Sequence, residues 1–146
     1  MANSGAAAVP AEPYPGQRLG LPELGRGSLA GWRVRAAALL LDWAASMGVA
    51  VALFGTQVVT GSGWRAWMTL ATFFVESTLL VTVASASFGQ LICRIAVVRL
   101  DTEPVGFPRA ALRQALICLA LPALIIGPDR RGLQDLAATT VVVNRK

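Results

Sequence analysis

The stretch "RAAALLLDWAASMGVAVALFG", Arg35 to Gly55, decides the fold. After the arginine it has twenty residues and a single charge, Asp42. An α-helix rises about 1.5 Å per residue, so this run is long enough to cross a hydrocarbon layer of about 30 Å. The stretch predicts a transmembrane helix at about 34–55.

Two further apolar runs follow. Ala66 to Phe88 has twenty-three residues interrupted only by Glu76, which predicts a second transmembrane helix at about 65–88. The third run, "ALICLALPALIIG", has thirteen uncharged residues with Pro122 near its middle. It predicts a short apolar segment at about 110–127, either a tilted helix that spans the membrane or a re-entrant segment that turns at the proline. The fold class is therefore all-α membrane.

Composition excludes several classes of function. Hydrophobic residues make up 55% of the chain and charged residues 14%, and residues 1–31 are rich in Ala, Gly and Pro, which predicts a disordered tail. The chain has no histidine, and its two cysteines form no CxxC pair, so we expect no metal site, cofactor or enzymatic activity. No basic face interleaved with aromatics points to nucleic acid. Arginines beside apolar runs favour anionic lipid headgroups as partners.

The distribution of arginine predicts the orientation. Four arginines precede the first run, one lies between the first two runs, and four follow the second run before the third. Because Lys and Arg collect on the cytoplasmic side, this count predicts a cytoplasmic amino terminus and a cytoplasmic interfacial loop at 89–109.

Two β-branched segments help to decide whether the third run crosses the membrane or turns back. They are "IAVVRL", Ile95 to Leu100, and "TTVVV", Thr139 to Val143. Isolated strands are not stable alone, so we predict that the two pair on the cytoplasmic side. Pairing requires the C-terminal segment, 128–146, to return to that side, which favours the re-entrant form; a third full crossing remains the alternative.

The intramembrane carboxylates admit two interpretations. A central Asp costs about 2.5–3.5 kcal/mol on insertion scales, so Asp42 is expected to face other helices, in one row with Arg35 and Val49 and with Ala38 and Ser46 beside it. Asp42 and Glu76 can form a cation or proton site between helices. Alternatively, Asp42 pairs with an arginine and Glu76 stays protonated, and both only fasten helices. A small-residue stripe, Ala44, Gly48 and Ala52, would let another helix approach closely, or it reflects only the abundance of alanine in the chain.

These features resemble the RDD family of small bacterial membrane proteins. "RAAALLLD" supplies Arg35, Ala38 and Asp42 of the family pattern, and "RRGLQDLAATTVVV" supplies its last aspartate, Asp135. The similarity covers about 32–143. Gln134 stands where the family commonly has histidine. The resemblance implies a multi-pass protein of the bacterial inner membrane, with transport proposed and ion exchange reported for some members.

The positions of the arginines suggest a role for Asp135. If the chain returns to the cytoplasmic side, Asp135 lies near Arg35 and near an interfacial arginine cluster of Arg94, Arg113 and Arg131. We expect this cluster to lock the C-terminal segment against the helix ends.

Two functions remain open at this stage. The chain is either a small ion or solute transport component that uses Asp42 and Glu76, or a non-transporting accessory subunit whose polar groups bind a partner. Two or three short spans enclose little volume, so a transport pathway would require a homo-oligomer or a larger membrane complex.

Overall fold

A computed structural model describes residues 14–119, 127 and 131–146. Within them the helices are α1 (Trp32–Phe54), α2 (Gln57–Thr60), α3 (Trp67–Ala84), α4 (Phe88–Ile92), α5 (Phe107–Cys118) and α6 (Leu133–Ala137). The strands are β1 (Ile95–Arg99) and β2 (Thr140–Asn144), and 3-10 turns form at Gln17–Leu19 and Gly63–Ala66. The predicted turn at Pro122 lies outside the described residues.

Helices α1 and α3 correspond to the two predicted spans. Trp32–Phe54 and Gly63–Ala84 are long and apolar enough to cross a membrane, which fits a membrane protein. The second helix ends four residues before its predicted limit. Ser85 adopts the left-handed conformation with φ 55°, and the chain starts again as α4 at Phe88. This break matters for function because it brings the start of α4 against α1.

The predicted strand pairing is confirmed. β1 and β2 form an antiparallel sheet in which Val97 lies opposite Val142. Leu29 extends this sheet through a bridge to Val143, and the Ala30 amide donates to the Val142 carbonyl at 2.9 Å. Part of the predicted disordered tail is therefore ordered from Tyr14 onward and joined to the C-terminal strand, while residues 1–13 lie outside the described part of the chain.

Helix α5 buries polar side chains and exposes large apolar ones. On the side toward the bundle it buries Ala110, Arg113 and Gln114. Its large exposed side chains are Phe107 and Leu112, and Leu119, just after its end, is also exposed. A surface helix in water normally shows the opposite arrangement, and an apolar outer face is typical of contact with lipid or a partner.

Packing brings one end of the α1–α3 pair against the sheet. α1 packs against α3 and α4, while α5 packs against α3 and α6. A small core cluster that includes Ala38, Val81, Ile95 and Val142 joins α1, α3 and the sheet. The start of α1, the end of α3, the sheet and α6 therefore meet around one region.

Candidate functional site

Asp42 joins α1 to the start of α4. Its side chain is buried, and its two carboxylate oxygens each accept a hydrogen bond of 2.6 Å, one from the Ser87 hydroxyl and one from the Gly89 amide. One interpretation of the sequence was that Asp42 pairs with an arginine; in the structure the Ser87 hydroxyl and the Gly89 amide take that place. A carboxylate that accepts backbone and hydroxyl hydrogen bonds is held in a fixed position. Asp42 therefore fastens α4 onto α1.

The sequence around α4 explains this contact. The Ser87 amide donates to Gln90 Oε1 at 3.0 Å, as expected where a Ser-x-x-Gln pattern begins a helix. A Cβ atom added at Gly89 would lie 2.0 Å from the Ala38 carbonyl oxygen. Only glycine allows the two backbones to come this close. The capping pattern was available in the sequence as a signal for a helix start, whereas the contact with Asp42, forty-five residues away, was not.

Glu76 makes a separate contact one helical turn along α1. The buried face of α1 consists of Ala38, Asp42, Ser46 and Ala50. From this face the Ser46 hydroxyl donates to Glu76 Oε2 at 3.0 Å, while Glu76 itself is half-buried on α3. The predicted association of Ala38 and Ser46 with Asp42 matches this face, whereas Val49, predicted in the same row, is 40% exposed. Asp42 and Glu76 thus lie at the same interface between α1 and α3 but have different hydrogen-bond partners.

Asp135 is the centre of a second buried group, which we call the Asp135 cluster: Arg35, Arg113, Arg131 and Asp135. Asp135 is 1% exposed. Arg113 Nε donates to Asp135 Oδ1 at 2.9 Å, and Arg35 forms a salt bridge with Oδ2 at 3.6 Å. Arg131 instead donates to the backbone carbonyl of Asp135 at 3.0 Å.

The Asp135 cluster also holds the sheet. The Arg131 guanidinium donates twice to the Thr140 carbonyl, at 2.8 and 3.0 Å, and Arg35 donates to the Val142 carbonyl at 3.2 Å. Arg94, in contrast, is exposed, and its backbone carbonyl accepts from the Arg145 amide at 2.8 Å. The structure therefore brings Arg113 and Arg131 to Asp135 and leaves Arg94 outside the cluster.

A cavity of about 240 Å³ connects the two buried groups. Its charged walls are Arg35, Asp42, Arg113 and Asp135. Its large apolar walls are Trp32, Leu39, Phe73 and Ile117. The cavity lies between α1 and α5 with α3 as its floor, and Leu39 at its rim is 41% exposed.

Among the described residues, the buried polar atoms at this cavity without a hydrogen-bond partner include Trp32 Nε1, Gln134 Oε1 and Asp135 Oδ2, although Oδ2 has Arg35 as an ion-pair partner at 3.6 Å. Leaving such atoms unsatisfied costs about 1–3 kcal/mol each, so a native structure usually provides a partner for them. From the sequence, Gln134 was recognised only as a departure from the family pattern, and Trp32 was not predicted to be part of the site.

The cysteines and acidic residues do not form a metal site in the described part of the chain. No group of three or more His, Cys, Asp or Glu residues is placed to hold a metal ion there. Cys93 and Cys118 are both half-buried and free.

Comparison with known proteins identifies the family. The sequence model of the RDD family matches residues 29–139, which include α1 to α6. No curated protein and no solved structure matches the chain. The three residues of the family pattern, Arg35, Asp42 and Asp135, all line the cavity. The chain belongs to the RDD family.

Proposed function

We propose that this RDD protein is a small ion or solute transport component of the bacterial inner membrane, in which α1 and α3 both cross the bilayer. The exposed apolar side chains of both helices and the apolar outer face of α5 support membrane insertion. Trp64 and Trp67, 68% and 67% exposed, lie at the far end, where an aromatic belt meets the membrane surface. The arginine count puts the other end in the cytoplasm.

The environment of Glu76 carries the transport proposal. Its carboxylate lies midway along an apolar helix and accepts a hydrogen bond from the Ser46 hydroxyl. Among residues 14–119, 127 and 131–146, no arginine or lysine forms a salt bridge with it. An ionisable group within a span that lacks a protein counter-charge takes up a proton or a small cation. Glu76 is thus the carboxylate that takes up and releases the ion, and Asp42 stabilises the helix interface beside it.

Replacing Glu76 tests this function. We expect Glu76→Gln to reduce cation-driven proton flux by about tenfold or more, because the amide neither ionises nor binds a cation strongly. Purified protein is reconstituted into liposomes containing a pH-sensitive dye, and flux is started with a sodium or potassium gradient.

The matched control is Glu103→Gln, an exposed carboxylate outside the spans, which should leave flux unchanged. Size-exclusion chromatography of each variant reports assembly. Absence of flux in the wild-type protein, or full flux in Glu76→Gln, would contradict the proposal.

An accessory role is the second candidate, and one observation favours it. Ala44, Gly48 and Ala52 are exposed on α1, and a Cβ added at Gly48 would meet nothing within 4 Å. This small-residue stripe is open to another helix of the same or a different chain. If Glu76→Gln disrupts the assembly instead of the flux through it, the accessory role is preferred.

A further inference from the structure

We propose that the cavity between α1 and α5 binds a single-chain lipid from the membrane whose polar head carries hydroxyl hydrogen-bond donors. The head lies against Gln134 and Asp135, and the chain extends past Leu39 and Ile117. This inference rests on atoms other than the Glu76 carboxylate and does not depend on ion transport.

Buried polar atoms without hydrogen bonds face the cavity. Gln134 is 6% exposed and Asp135 is 1% exposed, and each presents a buried oxygen that accepts no hydrogen bond from the described residues; the Asp135 oxygen has only its 3.6 Å ion pair with Arg35. Trp32 presents a buried N–H that donates to none of them. Two acceptors and one donor around one cavity are complementary to a head that mainly donates and accepts once, as a hydroxyl pair does.

The polar groups around the cavity favour a neutral head. The walls carry two guanidinium groups, Arg35 and Arg113, and two carboxylates, Asp42 and Asp135, and a third guanidinium, Arg131, is buried beside Asp135. Both carboxylates already have hydrogen-bond donors or ion-pair partners, so a cationic head finds no free counter-charge. All three guanidinium groups already donate to protein oxygens, so an anionic head would have to displace a protein acceptor. A neutral polar head displaces none of these partners.

The cavity is accessible from the apolar surface. α1 and α5 flank it; Leu39 of α1, which lines it, is 41% exposed, and Leu112 on the outer face of α5 is 45% exposed. In the proposed orientation these surfaces face lipid, so a ligand dissolved in the bilayer enters between the helices without crossing water. The cavity itself combines aromatic and aliphatic walls with a polar base, as sites for small amphipathic molecules generally do.

Fluorescence quenching of Trp32 tests the proposal. Trp43, Trp64 and Trp67 are replaced with phenylalanine in the full chain, so that Trp32 at the cavity wall is the remaining reporter. The probe is a monoacylglycerol with a dibrominated acyl chain, titrated into protein in detergent micelles. We expect saturable quenching. The dibrominated methyl ester, which lacks hydroxyl donors, should bind about tenfold more weakly, as expected for the loss of one hydrogen bond to a buried acceptor.

Two variants distinguish quenching by a probe bound in the cavity from quenching by the surrounding lipid. Ala36 lies at the cavity rim and is exposed, so Ala36→Phe closes the mouth without disturbing the core. Ala37 is the next residue, also exposed, and does not line the cavity, so Ala37→Phe is the matched control. We expect saturable quenching to be lost in the first variant and kept in the second.

Three results would overturn the proposal. Quenching that rises linearly and equally in both variants would mean bulk lipid contact only. Equal binding of the methyl ester would show that hydroxyl donors are not recognised. Tighter binding of the dibrominated fatty acid, whose head is a carboxylate, would mean that the cavity recognises an anion.

Discussion

Asp135→Asn is expected to lower the free energy of unfolding by about 3–5 kcal/mol, the range seen when one partner of a buried ion pair is removed. The aspartate is 1% exposed and is contacted by both Arg35 and Arg113. The amide keeps the shape of the side chain but leaves two buried guanidinium groups without their counter-charge. Because these arginines lie on α1 and α5, the loss separates the C-terminal segment from both helices.

The measurement is a denaturant titration of purified protein in detergent micelles, combined with protease cleavage of the C-terminal segment. Asp101→Asn is the control, since Asp101 forms its ion pair with Arg99 on the surface and its side chain is 53% exposed. Such exposed pairs contribute about 0–1 kcal/mol. If Asp135→Asn is as stable and as protease-resistant as the control, the Asp135 cluster does not hold the C-terminal segment.

Gly89→Ala is expected to destabilise the junction between α1 and α4 by about 1–3 kcal/mol or more, as overpacking of a closely packed site does. The added Cβ would lie 2.0 Å from the Ala38 carbonyl oxygen and 3.0 Å from the Asp42 amide nitrogen. Both are backbone atoms and cannot rotate away. Helix α4 must then move outward, which breaks the 2.6 Å hydrogen bond from Gly89 to the Asp42 carboxylate.

Gly48→Ala provides the matched control for Gly89→Ala. It makes the same chemical change within α1, where the new Cβ meets nothing within 4 Å. Alanine is favoured over glycine inside a helix by about 0.5–1 kcal/mol, so this variant should be as stable as the wild type or slightly more stable. Thermal unfolding in one detergent compares the pair. If the Gly89→Ala and Gly48→Ala proteins unfold at the same temperature, α4 does not need the close approach of its backbone to α1.

Local patterns were enough to predict α1, α3 and the two strands, but not the short helices α2, α4 and α6. The long uncharged runs predicted α1 and α3, because a span is recognised from length and hydrophobicity alone. The β-branched segments predicted β1 and β2, and their pairing followed from the instability of single strands. The ordered segment around Leu29 was not predicted, because its contact with Val143 is a backbone bridge that its own side chains do not signal.

The partners of the polar residues were less predictable. Asp42 was expected to face other helices, but its donors, Ser87 and Gly89, come from a break after α3 that a continuous apolar run conceals. Arg94 was grouped with Arg113 by nearness to the apolar runs. The chain turns at Arg94 with φ 57°, and its side chain is exposed, so sequence position alone did not place it.

The central claim is that both ends of the described chain and the Asp135 cluster lie on one side of a membrane crossed by α1 and α3. Single thiols at Glu23, Ser62 and Lys146, each exposed, test it in a protein whose Cys93 and Cys118 are replaced with serine. Labelling is performed with an impermeant maleimide on intact cells and on inverted vesicles. The account predicts that Glu23→Cys and Lys146→Cys react only in inverted vesicles and Ser62→Cys only in intact cells. Reaction of Lys146→Cys from the same side as Ser62→Cys would contradict it.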